Sequence, residues 1–136
     1  MGKTTIMVSF TISSIKLDHK YISEKLGISP NYIRKSDEVL NNQSLFGHDE
    51  WSISTKDEES LDIKNQLCKI LSLLDDKIQI INKLCEQFKA ECSILITIKI
   101  EEGQFPAMEI NQSFIKFLSS INANIGFDMY FYSDCT

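Results

Sequence analysis

The sequence predicts an α+β domain: one mainly antiparallel sheet of four to five strands with helices packed on one face. Three observations carry this. Residues 5–12 and 94–100 place Ile, Val or Phe at every second position, the period of a half-buried strand, with the second face of residues 94–100 apolar at one end. Residues 67–88 place leucine, isoleucine, cysteine and phenylalanine at alternating spacings of four and three, the period of an amphipathic helix. Strands and helices are also mixed along the chain without the regular alternation of a doubly wound sheet. The expected order is β-α-β-α(α)-β-(β)-α-β, in a single domain over residues 1–136.

Ile6, Val8, Phe10 and Ile12 form the inward face of the first strand. Asp18 follows as a helix N-cap, with Leu17 and Ile22 at the spacing of a hydrophobic staple. Gly27 ends that helix, Ile28 sits where a Schellman ending folds back, and Ser29-Pro30 prevents continuation. Residues 31–49 are polar and without period, and read as a loop. Trp51, Ile53 and Thr55 alternate with Ser52 and Ser54, which predicts a short second strand. The heptad-like run from Leu67 to Phe88 is compatible with a coiled coil, but one amphipathic helix, or a kinked pair lying on a sheet, is the expected form. Asp75-Asp76 predicts a break there, because Asp is a poor interior helix residue and a good N-cap.

Ile94, Ile96, Ile98 and Ile100 give the clearest strand, and Glu102-Gly103 a turn. Phe105 to Ile110 reads as a short return strand, confined to an edge by Pro106. Ile110, Phe114, Phe117, Leu118 and Ile121 give a last helix, and residues 125–132 the final strand. On that strand Phe127, Met129 and Phe131 share one face, and Asp128, Tyr130 and Tyr132 the other.

Composition narrows the function. The chain is 43% hydrophobic with a net charge of −5, enough apolar content for one core. The acid is concentrated: Asp37, Glu38, Asp49, Glu50, Asp57, Glu58, Glu59 and Asp62 stand against the single basic Lys56. A focused negative field repels nucleic acid and anionic membrane and speeds encounter with a basic partner. The start lacks the apolar run of a signal peptide, no stretch is long enough to span a bilayer, and a cytoplasmic protein with reduced thiols is expected.

Several small motifs taken together resemble one bacterial family. They are Ile22-Ser23, then Leu26-Gly27-Ile28-Ser29-Pro30, then Trp51-Ser52-Ile53-Ser54 after a polar loop, the leucine-rich middle helix, and Phe127-Asp128-Met129-Tyr130 near the end. In this order they are similar to the domain-of-unknown-function family 4279, over nearly the whole chain. The chain departs from the family pattern at Ser36, which follows Arg34-Lys35 where glycine is common. The resemblance implies an α+β domain without established chemistry, in a family whose members resemble small partner proteins found beside bacterial toxins.

No motif identifies a reaction, and no catalytic residue, cofactor or metal ligand is assigned. Gly2-Lys3-Thr4-Thr5 has the end of a phosphate-binding loop, but lacks its glycine-rich half and precedes a strand instead of a helix. Cys68, Cys85, Cys92 and Cys135 lack the close pairing of a zinc site, and Cys68 and Cys85 read as small apolar residues on helix faces. Cys92 and Cys135 are candidates for neighbours at strand ends, a pairing that sequence alone does not place. His48-Asp49-Glu50 has no nucleophile near it in sequence, and reads as a solvated loop.

The functional expectation is a protein-binding module, an immunity protein that neutralises a basic toxin, such as a nuclease, by occluding its active site. The expected contact residues are Asp49, Glu50, Trp51, Asp57, Glu58, Glu59, Asp62, Asp128, Tyr130 and Tyr132. Trp51 is equally suited to a desolvated interface anchor and to the core. A small-ligand or enzymatic domain of unknown reaction and a regulatory homo-oligomer are the alternatives.

Overall fold

A computed structural model describes residues 2–36 and 48–133. Asp37, Glu38 and Cys135 lie outside the described residues. The elements are β1 (Thr5–Ser14), α1 (His19–Leu26), β2 (Tyr32–Arg34), β3 (Asp49–Ser54), β4 (Glu58–Glu59), α2 (Ile63–Leu74), α3 (Ile78–Phe88), β5 (Glu91–Glu101), α4 (Gln112–Ser120) and β6 (Asn124–Tyr132).

The fold is α+β, as predicted, but the sheet is six-stranded and mixed, not a mainly antiparallel sheet of four to five strands. Its order is β2-β3-β1-β5-β6, with β4 also pairing with β1. β5 and β6 run parallel, because α4 returns the chain across the sheet before β6 begins. The predicted return strand near Phe105 is a loop that makes only a single bridge, Asp62 to Ala107. The segment read as a loop contains β2, which adds to the edge of β3. β4 meets β1 through Glu58 opposite Ile6 and Glu59 opposite Thr5.

The core lies between the sheet and the helices. Ile6, Val8, Phe10 and Ile12 of β1 are fully buried, in register with Ile98, Ile96, Ile94 and Cys92 of β5. Trp51 and Ile53 of β3 continue this layer. Ile22 of α1, Leu67 and Ile70 of α2, Ile81 and Leu84 of α3, and Phe114 and Phe117 of α4 close the same cluster. All four helices therefore pack on one side. Each such side chain withdrawn from water contributes about 1.5–3 kcal/mol before entropy is counted.

Local chemistry sets the helix ends. The Asp18 carboxylate accepts the Tyr21 N–H at 3.1 Å and opens α1. Gly27 closes it in the left-handed region at φ 69°, and the Ile28 N–H reaches the Ser23 carbonyl at 3.3 Å. Asp62 caps α2 by accepting the Lys64 N–H at 3.0 Å. The long apolar run does divide near Asp75-Asp76, but Asp75 ends α2, and α3 opens at Lys77 without a side-chain cap. No helix among the described residues is long and apolar enough to cross a membrane.

Candidate functional site

With all four helices on one side, the other face of the sheet is uncovered among the described residues. The odd residues of β1 point there: Thr5, Met7, Ser9, Thr11 and Ser13. Strand register assembles their neighbours into rows. Thr11 lies between Ser52 of β3 and Ser93 of β5, with Tyr32 beyond Ser52 and Asn124 beyond Ser93. Ser9 lies between Ser54 and Leu95, with Gly126 next to Leu95. These residues line a groove of about 580 Å³ across the sheet, within the size range of sites that take a small ligand or a partner's side chains.

The floor of the groove is hydroxyl-rich because short polar side chains recur on one face of three adjacent strands. The Thr11 and Ser52 hydroxyls are 2.7 Å apart. Asn31 anchors the rim: its side-chain oxygen accepts the Ser54 N–H at 2.8 Å, and its own N–H donates to the Ser52 carbonyl at 2.8 Å.

Charge sits at the two ends. At one, Ser13 is flanked in register by Glu50 and Glu91. At the other, the row runs Glu59, Thr5, Lys99, Tyr130. Lys99 Nζ pairs with the Asp57 carboxylate at 3.2 Å. Tyr130 donates its hydroxyl proton to Asp128 Oδ2 at 2.8 Å, and this bond, with the nearby negative charge, raises the phenol above its ordinary range.

A family comparison spans the same elements. The model of the family described as Domain of unknown function (DUF4279) matches residues 3–132, which include every strand and helix described above. The chain belongs to this family. No curated protein and no solved structure matches it. Within this DUF4279 domain, Ser36 has a structural role: its N–H and hydroxyl both donate to Asp49 Oδ1, at 2.7 and 2.9 Å.

The predicted contact residues do not form one surface. Asp49 is buried and accepts the Leu17 N–H on its other oxygen at 2.8 Å, joining the entry to α1 with the end of β2. Burial raises its carboxyl, but the amides of Ser36 and Leu17 outweigh that and hold it below the usual range. Trp51 is 0% exposed and donates Nε1–H to the Ser23 hydroxyl at 2.9 Å, so it belongs to the core and not to an interface. Glu58 turns to the helix side, where it meets Lys69 and Gln66; the bond to Lys69 lowers its carboxyl. Asp62 is spent on capping α2. The fold instead brings Asp57, Glu59, Asp128 and Tyr130 to one end of the uncovered face. Glu50 lies at the opposite end, and Tyr132 on the β6 margin.

The other candidates resolve structurally. The Thr4 hydroxyl donates to the Gln104 carbonyl at 2.6 Å and accepts the Glu101 N–H at 3.1 Å, so it ties the start of the chain to the β5–α4 loop instead of a phosphate. No group of three or more His, Cys, Asp or Glu side chains converges as a metal site among the described residues. Among the described residues the cysteine beside Cys92 is Cys85, and the candidate neighbour Cys135 lies outside them. His19 Nε2 faces the carbonyls of Arg34 and Glu50 at 3.0 and 3.1 Å; two acceptors require that this nitrogen carry the proton. The groove residues themselves were missed as a site. Their signal was the choice of Ser and Thr, instead of Lys and Glu, at outward positions of β1, β3 and β5.

Proposed function

We propose that this DUF4279 domain is a cytoplasmic protein-binding module of the immunity type, which neutralises a basic toxin through the uncovered face of its sheet. The observation that supports this most is a groove on the uncovered face, bearing Ser and Thr side chains among apolar ones and lined at one end by Glu50, with Glu59 and Asp128 farther along the same face. Serine and threonine hydroxyls both donate and accept, so the groove suits a polar, hydrogen-bonding surface. Glu50, Glu91, Glu59 and Asp128 supply acceptors for lysine and arginine at its margins. Occlusion follows when those cations are the ones the toxin uses on phosphates. A nuclease fits that description.

The test is a paired capture from the native host, using the parent chain and a Thr11→Lys/Ser93→Lys variant. Both positions are outward, so the variant should fold with unchanged circular dichroism. The expected result is a basic protein retained by the parent, toxic when expressed alone and harmless when co-expressed, with its retention lost in the variant. Equal capture by both chains would remove the groove from the interface.

One observation favours a second reading, a homo-oligomer. β6 ends the sheet, and Phe127, Met129 and Phe131 on its helix side are 42%, 36% and 66% exposed. Long apolar edges normally carry protection that β6 lacks: Asp128 is its sole charge, and it contains no lysine or proline. Antiparallel pairing of two copies about Met129 sets Asp128 opposite Tyr130 and Phe127 opposite Phe131. This reading expects a mass in solution that rises over about a hundredfold range of concentration, and a monomer in Met129→Lys. A parent that stays monomeric over that range rejects it.

A further inference from the structure

We propose that Cys85 and Cys92 are a disulfide-forming modification site, in which Cys85 meets the oxidant and Cys92 resolves it. Cys85 lies in the last turn of α3, and Cys92 is the second residue of β5. Lys89, in the left-handed region at φ 51°, and the Ala90 N–H bonded to the Cys85 carbonyl at 2.8 Å, turn the chain so that residue 92 returns beside residue 85. The two sulfurs are 3.3 Å apart. A disulfide needs about 2.05 Å, so about a further ångström of approach closes the bond. Core packing accounts for a small apolar residue at Cys92, since the same face of β5 continues with four isoleucines. It does not call for a second thiol against it.

Exposure assigns the order of events. Cys85 is half-buried, whereas Cys92 is 1% exposed, so an oxidant from solution reaches Cys85. The hydrogen bond from Cys92 favours the Cys85 thiolate and lowers that thiol below its ordinary value; the same bond, with burial, raises Cys92. With a low-molecular-weight disulfide as oxidant, the Cys85 thiolate attacks one sulfur and expels a thiolate, leaving a mixed disulfide. Cys92 then gives up its proton to the first expelled thiolate and attacks the Cys85 sulfur, expelling the second thiolate, which takes up from water the proton that Cys85 had released. Two protein thiols are oxidised and one small disulfide is reduced to two thiols. The product staples α3 to β5, at the point where Phe88 packs edge-on against Tyr21 and its carbonyl accepts the Ser14 hydroxyl at 2.7 Å.

The test uses the full chain with Cys68→Ser and Cys135→Ser, which leaves only Cys85 and Cys92 of its four cysteines. It is exposed to glutathione disulfide, quenched in acid, denatured and alkylated with N-ethylmaleimide, then weighed intact. The expected product has a mass about 2 Da lower, takes up no maleimide, regains both alkylation sites after dithiothreitol, and melts at a higher temperature than the reduced form. Adding Cys92→Ser should arrest the reaction at a glutathione adduct on Cys85, and Cys92→Ala serves the same purpose if the serine does not fold. A persistent glutathione adduct in the two-cysteine chain, or two thiols left free under oxidation, would overturn the proposal.

Discussion

Asp49 shows at the scale of one residue how a carboxylate in an acidic segment can belong to the fold and not to the field around it. Its two oxygens are divided between the amides of Leu17 and Ser36, which brings α1 and the end of β2 against β3. Because the folded state holds this carboxyl below its usual range, the unfolded state binds more protons in acid. The stability it contributes is complete above the unfolded value of about 3.9 and is lost as pH falls through the lower folded value. Asp49→Ala should cost about 1–3 kcal/mol at neutral pH, since it leaves two amide donors unpaired. Urea titrations at pH 7 and at acidic pH check this: the gap between parent and variant should narrow in acid, and a constant gap would reject the role given to the ionised form. None of this was legible in the sequence, because the partners stand 32 and 13 residues away. Trp51 was half legible. Its alternation with Ser52 and Ile53 placed it on a strand, but only the position of α1 decides that Ser23 completes it in the core.

At the scale of elements, legibility follows locality. Each end of α1 depends on a few consecutive residues, so Asp18 at its start and Gly27 and Ile28 at its close could be assigned from spacing. The break after Leu74 was likewise visible, although Asp75 closes one helix instead of opening the next. The parallel β5–β6 pair was not visible, since the ten residues between β5 and α4 carry no mark of the direction in which the next strand will enter the sheet. β2 and β4, at three and two residues, are too short to display a period at all. Gly27 offers a clean measurement at this scale. A Cβ added there meets nothing within 4 Å, so Gly27→Ala changes only the cost of holding φ at 69°. The expected loss is about 1 kcal/mol in chemical denaturation, with the denaturant slope unchanged. A loss near zero would mean that the ending relaxes to another geometry.

At the scale of the whole molecule, folding redistributes the charge that the sequence concentrates. Lys69 from α2 and Lys99 from β5 are brought against Glu58 and Asp57, Asp49 is buried, and Asp62 faces its own helix. Among the described carboxylates of the acidic segment, Glu50 and Glu59 stay on the uncovered face, where Glu91 of β5 joins Glu50 beside Ser13. Electrostatic steering depends on charge that solvent and partner both see, and paired or buried carboxylates add little to it. Glu50 and Glu91 flank Ser13 on that face, which makes them the better test of the proposed encounter. Glu50→Lys/Glu91→Lys should slow association with the captured basic partner by about tenfold or more at low salt, and by progressively less as salt rises. Glu58→Lys, whose native side chain points to the helix side, should leave the association rate within about twofold of the parent while weakening the α2 contact. Stopped-flow or surface-based kinetics over a range of ionic strength separates the two. If Glu58→Lys slows association as much as the double variant does, the partner approaches from the helix side, and the uncovered face is not where binding begins.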